Sequence, residues 1–143
     1  MSPEAKATVD SDALLVNVDL NAIPDQPPFE PGEKLLTLKT VELAPFNKNP
    51  KENFVKIGLA VEDDPYPGYI FENVIPPASH MSEAGQRFCK EKFLDWMTCL
   101  GVEKTEAGYQ VKDAIGNSFY AMCGIKDDEY GKRPVVTKLL KPV

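Results

Sequence analysis

Tyr69 and Phe71 stand two residues apart in the run Tyr69-Ile70-Phe71-Glu72-Asn73-Val74-Ile75, a spacing that puts both rings on one face of an extended strand. Paired rings on one face can stack planar groups such as nucleic-acid bases, provided that Lys or Arg beside them neutralises phosphate. Phe54 and Lys56 bring the same residue types on the preceding segment, and Tyr66 lies between the two segments. Further cations come from Lys48 and Lys51 ahead of Phe54, and from Lys126, Lys132 and Arg133 near the C-terminus. Tyr120 and Tyr130 are weaker aromatic candidates, the latter inside the acidic turn Asp127-Asp128-Glu129-Tyr130-Gly131, where phosphate would be repelled. Each lysine taken singly reads as solvated surface. Tyr69 and Phe71 read equally as stacking platform or as core, since nothing in the sequence says which face of their strand is inside.

Other chemistries find less support. Cys89, Cys99 and Cys123 form no C-x-x-C pair and His80 is the only histidine, so no zinc ligand set is expected. A Cys-His nucleophile needs an oriented imidazole, whereas His80 follows Ile75-Pro76-Pro77-Ala78-Ser79 and reads as a loop residue. Asp63-Asp64 and Asp127-Asp128 could hold a divalent ion for phosphoryl chemistry, but both pairs adjoin Pro or Gly in tight turns that favour acids for their own geometry. With no Gly-rich phosphate loop, neither an enzyme nor a cofactor is expected.

The elements that would position the aromatic and basic residues follow from periodicity. Leu35–Leu43 reads as a first strand, ended by Pro45 and a polar loop. In a second, Phe54–Glu62, Val55, Ile57, Leu59 and Val61 share one face while Lys56, Gly58 and Ala60 share the other. After the turn Asp63–Gly68, a third strand, Tyr69–Ile75, stops at Pro76 and Pro77. From Ser82, a plausible N-cap, Cys89, Phe93, Trp96, Met97 and Leu100 recur at helical steps, and Gly101 ends the helix. Residues 102–117 read as a polar connection with a short extended piece at Tyr109-Gln110-Val111. Ser118–Lys126 and Arg133–Leu140 are the last two strands. Strand, strand, strand, helix, strand, strand is the order of the OB-fold. The expected architecture is therefore a mostly β, five-stranded Greek-key barrel with one helix between strands 3 and 4; an α+β sheet is the alternative.

Charge divides the 143 residues in two. Residues 1–33 hold seven acids and one base, and so carry the whole net charge of −6; the remainder holds 15 of each. The same stretch contains Pro24, Pro27, Pro28 and Pro31, which oppose regular ladders. We read 1–32 as an acidic, Pro-rich arm in which only Leu14–Leu20 looks able to order, and 33–143 as the folded domain. A composition of 43% hydrophobic and 27% charged residues is that of an ordinary globular protein. With no apolar run long enough to span a bilayer and a polar, acidic Met1–Asp12, a cytoplasmic protein is expected, with no membrane partner. The basic end Lys138–Val143 is the opposite of an acidic tail.

Over roughly residues 14–142 the chain resembles the small bacteriophage single-stranded DNA-binding proteins with an OB-fold. The resemblance lies in an acidic lead-in ending Phe29-Glu30-Pro31-Gly32, then Phe54-Val55-Lys56-Ile57-Gly58-Leu59-Ala60-Val61, Pro67-Gly68-Tyr69-Ile70-Phe71, the helix end Leu100-Gly101-Val102, and Ala114-Ile115-Gly116-Asn117. It implies a non-enzymatic protein that coats single-stranded DNA in phage replication or recombination, in the host cytoplasm. The arm would recruit replication or recombination proteins, or lie in the basic groove until DNA displaces it, in which case deleting residues 1–30 tightens DNA binding at low salt. Unpaired strand edges make a homodimer a reasonable expectation. The rival reading is a protein-interaction module without nucleic-acid binding, marked by an exposed apolar patch with no basic residues beside it.

Overall fold

The computed structural model describes residues 8–10, 15–23 and 25–141. Leu14 and Pro24 of the arm, the stretch 1–7, and Pro142 and Val143 of the basic end lie outside the described residues. In the arm, β1 (Thr8–Asp10) and β2 (Leu15–Asn17) form a two-stranded antiparallel sheet. A 3-10 turn, Leu20–Ala22, follows, and the Asp19 side chain accepts the Asn21 N–H at its start.

Five strands make the main sheet: β3 (Gly32–Pro45), β4 (Asn53–Val61), β5 (Tyr69–Val74), β8 (Ser118–Asp128) and β9 (Gly131–Leu140). Helix α1 (Glu83–Leu100) follows β5. Between α1 and β8 come the short hairpin β6 (Lys104–Thr105) and β7 (Gly108–Tyr109), and a 3-10 turn, Val111–Ala114; of the extended piece expected at Tyr109-Gln110-Val111, Tyr109 is in a strand and Val111 opens the turn. The strand order is β5-β4-β3-β8-β9, antiparallel throughout.

The expected OB-fold barrel is not what forms. No ladder joins β5 to β9, so the sheet stays open at that seam. Its five strands and one helix are those expected; the closure is missing. Prolines mark both edges. Pro76 and Pro77 follow closely on the six residues of β5, and Pro134 brings no N–H to β9. What bridges the seam is a side chain: Glu72 Oε2 accepts the Val136 N–H at 2.8 Å.

The core fills the side that α1 covers. Alternation in β4 places Val55, Ile57, Leu59 and Val61 inside, where they meet Leu36 and Leu38 of β3 and Ile70 and Val74 of β5. Helix α1 covers them with Trp96, Met97, Cys99 and Leu100, and Trp96 meets Phe119 of β8 edge-on at 6.0 Å. The helix starts where Ser82 Oγ accepts the Gly85 N–H, and ends at Gly101, whose φ of 76° is left-handed. Its first half buries little: Phe88 is 62% exposed. Phe29 belongs to this core as well, with its ring edge-on to Tyr66 at 5.3 Å. A truncation at residue 30 would therefore cut into the folded part, and a deletion that tests the arm has to stop before Phe29.

Two bulges shape the sheet. In β3 the register moves from Leu38 opposite Leu59 to Thr40 opposite Gly58, so Lys39 is the extra residue. Even-numbered side chains point inward before the bulge (Leu36, Leu38) and outward after it (Thr40, Glu42). In β9 Thr137 is the extra residue, and its hydroxyl donates to the Met122 carbonyl at 3.1 Å.

The bridging carboxylate makes a pH prediction. Burial raises the Glu72 pKa above the ordinary glutamate range, more than the Val136 N–H, Arg133 and Lys126 lower it. A carboxyl whose pKa is higher folded than unfolded contributes stability when protonated, and loses that contribution as pH rises through its folded pKa. Glu72→Gln keeps an acceptor for Val136 without the charge. Its melting temperature should therefore match wild type near pH 4 and rise above it towards pH 7, while Glu72→Leu, which strands the Val136 N–H, melts lower than wild type at both.

Candidate nucleic-acid interface

The outward face of β4 and β5 is built by the same alternation that fills the core. With Ile70 and Val74 inside, Tyr69, Phe71 and Asn73 point out; with Val55, Ile57 and Leu59 inside, Lys56, Gly58 and Ala60 point out beside them. The antiparallel register sets Lys56 opposite Asn73, Gly58 opposite Phe71 and Ala60 opposite Tyr69. Tyr69 is 38% and Phe71 64% exposed, and their ring centroids lie 6.1 Å apart at 52°. This resolves the ambiguity left by the sequence: both rings are on the solvent side.

Gly58 is what lets the two rings lie on the sheet. A Cβ at that position would collide with Thr40 Oγ1 and come within 3.2 Å of Phe71 Cε1 and 3.4 Å of Tyr69 Cδ2. The missing side chain leaves a floor for the aromatic pair, the situation in which glycine recurs inside strands.

Next to the rings a groove of about 530 Å³ runs over Thr40, Lys56 and Phe71 to Asn73 and Arg133 at the open seam. Arg133 also lines a second hollow of about 270 Å³, where Pro27, Pro28, Tyr66, Ile125 and Lys132 meet. The two hollows thus share one guanidinium, which Asp128 holds from the other side at 3.6 Å. Lys126 lies across the β8–β9 hairpin from Arg133.

Not every candidate joins this group. Tyr66 turns inward against Phe29, half-buried, and reaches only the second hollow. Phe54 shares the outward face of β4 but packs on Phe46 at 5.4 Å, and Phe46 in turn meets His80 at 5.0 Å. Lys48 and Lys51 are exposed in the adjoining loop, which is held by Glu52 accepting the Ser79 N–H and hydroxyl. That hydroxyl holds the Glu52 carboxyl below the usual range. The strip from Lys51 through Phe54, Lys56 and Phe71 to Tyr69 follows one strand pair. Phe54 and Lys56 on β4, and Tyr69 and Phe71 on β5, are each two residues, about 6.7 Å, apart. Tyr120 is exposed on β8, and Tyr130, 87% exposed, sits at the tip of the β8–β9 hairpin.

The acid pairs are engaged in turns. Asp64 accepts the Tyr66 N–H at 2.9 Å and pairs with Lys34 at 2.6 Å, and the lysine keeps its carboxyl below the usual range. Asp128 accepts the Tyr130 N–H. Sequence reasoning missed Thr40, Glu42 and Asn73 in the groove. Asn73 was legible from the period of β5, but Thr40 and Glu42 face outward only because of the Lys39 bulge. Glu42 is directly across from Lys56, and Glu72 also lines the groove, so its two cations are matched by two carboxylates. Such a groove favours stacking over long-range attraction.

Exposure predicts how little the rings do for the fold. Phe71→Ala should shift the urea midpoint by less than about 1 kcal/mol equivalent, as for an exposed position. Ile70→Ala, one residue away and fully buried, should cost about 2–5 kcal/mol.

No known protein-family model matches the chain, and no curated protein matches it. Among the described residues no helix is long and apolar enough to cross a membrane.

Proposed function

We propose that the outward face of β4 and β5 binds single-stranded DNA without sequence preference, as a non-enzymatic coating protein of phage replication or recombination in the host cytoplasm. The observation that carries the reading is the pair Tyr69 and Phe71, both solvent-facing over Gly58 and flanked by Lys56 and Arg133. Large aromatic side chains held in solvent at little benefit to the fold are available for a ligand with planar groups. Stacking on such rings contributes about 1–3 kcal/mol per base and tolerates any base.

The reading does not need a barrel. An open antiparallel sheet is a proven platform for stacked bases, with aromatic residues projecting from its exposed face. Lys56 and Arg133, with Lys126 across the hairpin, would take phosphates, and the second hollow around Tyr66 and Lys132 continues the path past Arg133. Duplex DNA, with its bases already stacked, offers nothing to the rings.

Titration of labelled oligo-dT by fluorescence polarisation tests this, with duplex of equal length as control. Binding should be selective for the single strand, and Phe71→Ala or Tyr69→Ala should weaken it roughly tenfold, as expected for one lost stacking partner. With about three phosphate contacts the slope of log K against log salt should be near −2, and Lys56→Glu should flatten it. Equal affinity for duplex, or alanine variants that bind like wild type, would reject the assignment.

A further inference from the structure

A second surface lies on the helix side of the seam, away from the aromatic pair. There the half-buried Cys89 and the exposed Phe88 of α1, with Ile75 after β5 and Leu139 of β9, surround a groove of about 240 Å³ that reaches down to Trp96. Its walls combine these apolar side chains with Lys92 and Lys138 on the rim, while Glu72 and Asn73 line it at the seam.

The arm has the complementary character. Val16, Val18, Leu20 and Ile23 are 58%, 44%, 71% and 60% exposed. Val16 and Val18 alternate along the end of β2 with Asn17 between them, and Leu20 opens the 3-10 turn that Ile23 closes. A two-stranded sheet such as β1–β2 is marginal alone and needs an apolar face covered. The stretch around it carries the protein's whole net negative charge. In the single chain these side chains stay in solvent, so the chain's own groove is not their seat.

We propose that residues 16–23 of one copy seat their apolar side chains in the Phe88–Ile75–Trp96 groove of a second copy, with the acidic arm against Lys92 and Lys138, making a reciprocal arm-exchanged dimer. Exchange in both directions gives a closed two-fold assembly in which the same contact occurs twice. The inference does not rest on DNA binding: Phe88, Trp96, Lys92 and Lys138 lie outside the aromatic face, and only Glu72 and Asn73 line both grooves.

Cys89 lines the groove, whereas Cys99 and Cys123 are buried, so thiol labelling of the native protein reports on groove occupancy. Sedimentation velocity and Ellman labelling across a dilution series should be run on the full chain. The comparison proteins are Val16→Asp/Val18→Asp/Leu20→Asp, all exposed positions, and Lys92→Glu/Lys138→Glu. The full chain is expected to be a dimer whose Cys89 reacts roughly tenfold more slowly than after dilution to monomer, since labelling follows thiol access. The arm variant should be monomeric with fast labelling, and the lysine variant should dimerise more weakly at low salt. A full chain that stays monomeric, a dimer indifferent to both sets of substitutions, or Cys89 protection that persists in the diluted monomer would overturn the proposal.

Discussion

The structure depends on a long strand that bends. β3 is hydrogen-bonded to β8 through its first half and to β4 along most of its length, so the ladders that tie the N-terminal strands to the C-terminal hairpin all run through it. The extra residue at Lys39 bends it and inverts its faces. The bend is pinned from outside the sheet: Leu38 donates to the Asn117 carbonyl at 3.0 Å and accepts from the Gly116 N–H at 2.8 Å. Asn117 also donates its side-chain amide to the Leu100 carbonyl at the helix end. One short segment thereby sets both the curvature of the sheet and the end of the helix that covers it.

The aromatic face inherits its geometry from that bend. Thr40 reaches the outer surface only after the faces have inverted, and there it defines, with Gly58, the floor on which Phe71 and Tyr69 lie. Core and candidate site are two sides of one alternation: Ile57 and Ile70 are fixed inside by burial, and their neighbours Lys56, Tyr69 and Phe71 are fixed outside as a consequence. A residue inserted in β4 or β5 would exchange the two sets.

The local part of this was legible in the sequence. Period-two alternation in β4, the prolines after β5, Ser82 and Gly101 at the helix ends, and the hairpin between the last strands all report on neighbours along the chain, and the strands and helix form where those signals lie. Closure was not legible, because whether β5 meets β9 depends on two edges more than sixty residues apart. Glu72, the residue that bridges them, looks in the sequence like one more polar strand position. For the same reason Tyr66 read as a free ring: its partner Phe29 lies in the Pro-rich stretch assigned to the arm. Of the β6–β7 hairpin only the extended backbone at Tyr109 was anticipated, because two-residue strands carry no period.

The seam between β5 and β9 gives the sheet unequal strength. Parting any of its paired strands breaks a whole ladder. Parting the two free edges breaks no ladder; among the described residues it breaks the Glu72–Val136 hydrogen bond and disturbs the apolar packing of Val74, Val136 and Leu139 under α1. The Arg133 groove on one side and the Cys89 groove on the other share Glu72 and Asn73 in their linings, so widening either surface strains the same Glu72–Val136 contact.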